Sequence, residues 1–106
     1  MRERSELYFS LDIEADGPCP GLNSMLSMAC VVVDAEGTEH GTFTTNLELL
    51  PGAAQDADTM AWWKKFPGAW AKHREDLETP EVAMRRFCGF VERFRDKNYA
   101  TVALGA

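Results

Sequence analysis

The chain has 106 residues, 45% of them hydrophobic and 26% charged, and carries a formal net charge of −6. This describes an ordinary globular chain, one domain or part of one, and it excludes a broad electrostatic grip on nucleic acid, which needs clustered Lys and Arg. No apolar run approaches the ~20 residues of a membrane span and the Met-Arg-Glu-Arg-Ser start lacks a signal peptide's apolar stretch, so the expected compartment is the cytoplasm.

Residues 7–14 alternate. In a β-strand successive side chains point to opposite sides, so Leu7, Phe9, Leu11 and Ile13 are expected on one face and Tyr8, Ser10, Asp12 and Glu14 on the other. Two carboxylates at spacing two then converge on one spot, where they repel each other unless a cation neutralises them. Hard oxygen ligands of this kind suit Mg²⁺ or Mn²⁺. Solvent-facing acids on an amphipathic strand give the same spacing. Calcium is a third reading, because Asp12, Glu14, Asp16 and Gly17 occupy positions one, three, five and six of an EF-hand-like loop. Against it, the twelfth position is Asn23, Pro18 and Pro20 interrupt the loop, and the preceding segment reads as strand.

Residues 16–23 form a Gly/Pro-rich connection, and 24–33 a second strand whose continuous apolarity predicts burial on both faces. Asp34-Ala35-Glu36-Gly37 is a turn signal, and 38–49 returns as a third strand, completing an antiparallel meander. After a loop at 51–58, Thr59 is expected to cap a short helix through Phe66, with Pro67 and Gly68 interrupting before a second helical piece at 69–75. Thr79-Pro80-Glu81 opens the clearest helix, whose stripe of Val82, Ala83, Phe87, Phe90, Val91 and Phe94 faces the core. A charged turn then precedes a possible fourth strand at 99–104.

Cys19, Cys30 and Cys88 show no paired-ligand spacing and are read as reduced thiols. Trp62 and Trp63 lie about 100° apart around a helix, so one is expected inward and the other near the surface. Burial is favoured over base stacking for them and for Trp70. Lys64, Lys65, Lys72, Arg74, Arg85 and Arg86 are interspersed with acids and read as a solvated mixed face. His40 is expected on an exposed hairpin strand.

The Asp-x-Glu of Asp12 and Glu14 at the end of the first strand resembles the first motif of the ribonuclease-H-like DEDD superfamily of 3′–5′ exonucleases. The spacing through Ser24-Met25-Leu26-Ser27-Met28-Ala29-Cys30 to Asp34 is similar to that of oligoribonuclease-type members, and the strings DIEADGPCPG and TMAWW resemble a bacterial and phage subgroup. The resemblance covers roughly residues 6–94. It implies an α/β fold with a mixed sheet, its first three strands antiparallel and flanked by helices, incomplete on the C-terminal side. It further implies two-metal phosphodiester hydrolysis at the 3′ end of a single-stranded nucleic acid, with Mg²⁺ or Mn²⁺ as cofactor. Asp12 would bridge both ions, Glu14 would support one, and the backbone of Ala15, Gly17 and Pro18 would approach the terminal nucleotide.

The family also uses a second-motif Asp and a third-motif Asp with a His or Tyr base. Residues 1–106 match neither, and His73 with Asp76 has the wrong spacing. Two of four metal carboxylates are present, so the expectation is an exonuclease-like domain that has no measurable turnover alone and either self-associates through an exposed sheet edge or is only marginally folded. Should it be active alone, Asp16 and Asp34 are the first replacements to consider. The alternative is a non-catalytic module that binds nucleic acid or protein with a remnant nuclease fold. Nothing in the sequence separates RNA from DNA.

Overall fold

The alternating segment and the two β-rich stretches after it form strands β1 (Ser5–Ala15), β2 (Met25–Asp34) and β3 (Glu39–Leu47), paired antiparallel in the expected order. The computed structural model describes residues 5–95 and 99–105, the latter by their backbone. Asp34 closes the β2–β3 turn: its Oδ1 accepts from the amides of Glu36 at 3.0 Å and Thr38 at 2.9 Å. Its Oδ2 lies 2.9 Å from His40 Nε2.

Two further strands complete a five-stranded sheet in the order β4-β3-β2-β1-β5. The strand expected at 99–104 is β5 (Tyr99–Gly105), parallel to β1, with Ser5 opposite Tyr99 and Leu11 opposite Gly105. Over Ser5 to Leu11 the flank of β1 is occupied by β5, which is the end strand of the sheet among the described residues. The part of the charged turn at 96–98 lies outside the described residues. The sequence reading missed β4 (Leu77–Glu78), whose two residues run parallel to the end of β3 and are too few to show a period.

The helices differ from expectation mainly at their starts. Helix α1 (Ala57–Trp63) is capped by Asp56, not Thr59; the Asp56 carboxylate accepts from Thr59 N at 3.0 Å and Thr59 Oγ1 at 2.8 Å. These hydrogen bonds, with burial opposing, hold the Asp56 carboxyl below its ordinary pKa. Helix α2 (Pro67–Lys72) begins at the proline read as an interruption, since a residue without an N–H fits the first turn. Helix α3 (Pro80–Glu92) starts as predicted, with Thr79 Oγ1 accepting from Val82 N at 3.3 Å.

Helix α3 packs across one face of the sheet. Leu7, Phe9, Met28, Cys30, Val32, Phe43 and Phe90 form the buried core there, with Phe87, Val91 and Phe94 partly buried against it. Edge-on rings lock this layer, with centroids 5.8 Å apart for Phe9–Phe94 and 5.1 Å for Phe90–Phe94. Gly41 is small because the helix crosses above it: a Cβ there would lie 2.7 Å from Phe94 Cζ. Val82 departs from the predicted stripe and is exposed, as is Ile13 at 51%. Burial of β2 on both faces is also corrected. Leu26, Met28, Cys30 and Val32 are buried on the helix side, whereas on the other side Ser27 is buried and Ala29, Val31 and Val33 are only half-buried. No helix among the described residues is long and apolar enough to cross a membrane.

Candidate functional site

The site follows from register. On the face opposite α3, Asp12 lies across from Ala29 and Ala29 across from Thr44, while Glu14 lies across from Ser27 and Ser27 across from Asn46. The alternation read from the sequence thus sets both carboxylates on one side of three paired strands. All six residues line one cavity of about 350 Å³, together with Met28 and Thr45 between them, and Lys72 and His73 form a wall. The methyl side chain of Ala29, between Asp12 and Thr44, leaves the floor open.

The wall is held in place by side chains. Asn46 Nδ2 donates to the carbonyls of Lys72 at 2.8 Å and Glu75 at 2.9 Å, fixing the C-terminal end of α2 to β3. His73, the residue that caps α2, has its Nδ1 2.8 Å from Ser27 Oγ and its ring 5.4 Å from that of Trp63. The spacing of His73 in the sequence matches no motif. What brings it to the acids is a tertiary contact with Ser27, which no local pattern encodes.

Neither Asp12 nor Glu14 forms an ion pair among the described residues. The chemistry open to them is oxygen ligation of a hard cation. Among the described residues no set of three or more His, Cys, Asp or Glu side chains is grouped to hold an ion. Two carboxylates are nonetheless the donor set that suits Mg²⁺, which binds through one or two carboxylates and keeps waters or phosphate oxygens in its other positions.

Asp16 and Asp34, the acids named as replacements, have structural roles. Asp16 is buried at 1% exposure, and its Oδ1 accepts from Ser24 N at 2.6 Å. Asp34 serves the hairpin turn and pairs with His40, so neither is positioned to replace a missing ligand. Asp76, at φ 48°, lines a separate hollow with Glu75 and Glu78. Arg74 also leaves the expected solvated face: its guanidinium donates to the carbonyls of Leu26 at 3.0 Å and Leu47 at 2.5 Å. Burial lowers its pKa, and the negative charge of Asp16 partly offsets this.

Ala15, Gly17 and Pro18 lie in a different cavity from the acids. With Ile13, Met25 and Leu50 they line a largely apolar hollow of about 380 Å³ at the end of β1. Gly17 has no room for a side chain, since a Cβ would overlap the Asn23 amide. That amide accepts from Cys19 N at 3.0 Å and donates to Ala54 O at 2.7 Å. The tryptophans divide as expected, Trp63 buried at 3% and Trp62 exposed at 48%. The three cysteines are free thiols, and burial pushes that of Cys30 above its ordinary pKa.

No family model matches the chain, and no curated protein matches it in sequence. Solved structures are similar in fold. Cell-death related nuclease 4 (CRN-4) aligns with a TM-score of 0.62 and 13% identity over 92% of this chain and 34% of that one. A 3′-exonuclease described in 3′-end specific recognition of histone mRNA stem-loop aligns with a TM-score of 0.63 and 12% identity, over 98% and 48%. The nuclease domain of 3′hExo, a DEDDh family member bound to rAMP, aligns with a TM-score of 0.63 and 11% identity, over 97% and 54%. The chain spans between a third and about half of these structures. Its mixed sheet, with three antiparallel strands followed by a parallel one beside the first, has the ribonuclease-H-like fold of these structures.

Proposed function

We propose that this chain carries the first part of a divalent-metal-dependent 3′–5′ exonuclease site, which cleaves phosphodiesters at the 3′ end of a single-stranded nucleic acid. The observation that carries this reading is the placement of Asp12 and Glu14, without ion-pair partners among the described residues, in one cavity on the open face of the sheet. The fold shared with 3′-exonucleases supports it. So do the strings around Asp12 and Glu14, which resemble the bacterial and phage subgroup.

Asp12 and Glu14 would hold Mg²⁺ or Mn²⁺. Such an ion supplies charge neutralisation at a phosphoryl oxygen and a more acidic water. The chain's own contribution is the strand register that keeps both acids on one cavity. The backbone of Ala15, Gly17 and Pro18, which lines the apolar hollow at the end of β1, would approach the terminal nucleotide. With two acids at the site, we expect metal binding of low affinity and no measurable turnover by these 106 residues alone, because a rigid two-metal clamp needs more ligands.

The test is a Mn²⁺ titration by calorimetry on the wild-type chain, Asp12→Ala and Glu14→Ala, together with degradation of a 3′-labelled single-stranded oligonucleotide. Binding to the wild type that is lost in both variants is the expected result. Equal binding by all three would remove these acids from any metal site.

A further inference from the structure

The cavity that holds Asp12 and Glu14 is divided by charge. Its acids lie on β1, and the wall formed by the end of α2 presents Lys72 and His73. In a surface ion pair these groups would sit within salt-bridge distance, but among the described residues neither acid is paired with Lys72 or His73. The separation leaves room between an anionic and a basic side.

His73 is also built in more firmly than a surface histidine. Ser27 Oγ, 2.8 Å from Nδ1, and the Trp63 ring fix its plane, and Nε2 has no hydrogen-bond partner among the described residues. Asn46 holds the backbone of Lys72, so the two residues enter the cavity from a fixed point. An imidazole with one nitrogen held and the other available is a directed hydrogen-bond group.

We infer that Lys72 and His73 form a phosphate-binding wall that positions a nucleotide's phosphate between themselves and an ion held by Asp12 and Glu14. This rests on the metal reading above, because a phosphate placed near two bare carboxylates is repelled until a cation intervenes. Lys72 then acts as a point charge on the phosphate, and His73 as a hydrogen-bond donor through Nε2, with Nδ1 accepting from the Ser27 hydroxyl. In that tautomer the imidazole is neutral and still donates. Ser27 is thereby a positioning residue, acting only through His73.

The test uses the 106-residue chain with adenosine 5′-monophosphate as probe, and reads binding in place of turnover. Calorimetry with saturating Mg²⁺ should show AMP binding to the wild type, weakened about tenfold or more in Lys72→Ala and in His73→Ala. Mn²⁺ affinity without nucleotide should be unchanged in both. The chain has two histidines, so AMP should shift the ring resonances of His73 and leave those of His40 in place. Ser27→Ala should weaken AMP binding less than His73→Ala. Lys72 is exposed, so its variant tests the wall even if His73→Ala unfolds.

AMP binding equal to wild type in Lys72→Ala, or absent from the wild type with Mg²⁺ bound, overturns the inference and leaves the metal reading intact. Loss of AMP binding together with Mn²⁺ binding that survives Asp12→Ala instead overturns the metal reading on which the wall depends.

Discussion

Trp63 donates its indole N–H to the carbonyl of Ala15 at 3.0 Å, tying helix α1 to the residue that follows Glu14. The β1–β2 register shifts between Glu14 and Ala15, so this carbonyl lies where regular pairing ends. The same indole stands against His73, and one buried ring therefore braces both the acid-bearing strand and the opposite wall of the cavity.

Trp63→Phe keeps an aromatic ring but removes that donor. It should lower stability by about 1–2 kcal/mol, as expected when a partly buried carbonyl loses its partner. Denaturant unfolding measures this, and a change within experimental error would show that water replaces the indole.

Phe90 is buried between β1, β3 and the neighbouring phenylalanines, so Phe90→Ala should cost about 3–5 kcal/mol. Val82→Ala, on the exposed side of the same helix, should change stability by less than about 0.5 kcal/mol. Similar unfolding midpoints for the two variants would contradict the placement of α3.

Ala29→Leu should fill the floor between Asp12 and Thr44 while changing stability by less than about 1 kcal/mol, because this face of the sheet is open. AMP affinity in the presence of Mg²⁺ should fall about tenfold or more. Unchanged affinity would place the nucleotide outside this cavity.

Asp34 links acid sensitivity to the hairpin. The hydrogen bond from His40, followed by those from the Thr38 and Glu36 amides, lowers its pKa below the ordinary 3.8, against the raising effect of burial. A depressed carboxyl stabilises the fold above its unfolded pKa, and the contribution is lost as pH falls through the lower folded value. Wild type should therefore melt at a higher temperature than Asp34→Asn near pH 5, with the difference shrinking below about pH 4. A pH-independent difference would indicate that the Asp34 charge is not what holds the turn.

Features that arise within a few residues were legible in the sequence. Alternation placed Asp12 and Glu14 together, Thr79 and Pro80 marked the start of α3, and the adjacent tryptophans had to diverge around a helix. The errors arose where two local rules competed or where distance decided. Asp56 and Thr59 can both cap, and the carboxylate that reaches Thr59 won. Pro67 can end one helix or begin another. Asp16 has the spacing of a ligand, yet its side chain turns inward to the Ser24 amide, eight residues on. The wall of the cavity depends on Ser27 meeting His73 across 46 residues, which periodicity cannot reveal.

The sheet joins pairings of very different sequence range. The β1–β2 and β2–β3 ladders connect neighbouring strands, whereas β1–β5 brings Ser5 to Tyr99. Closing so long a loop costs more chain entropy before any contact repays it, so the β1–β2 and β2–β3 pairings carry the smaller closure cost. The rows that carry Asp12 and Glu14 belong to the β1–β2 and β2–β3 ladders. The acidic end of β1 therefore owes its geometry to pairings between strands that are neighbours in the chain, and not to the distant parallel strand.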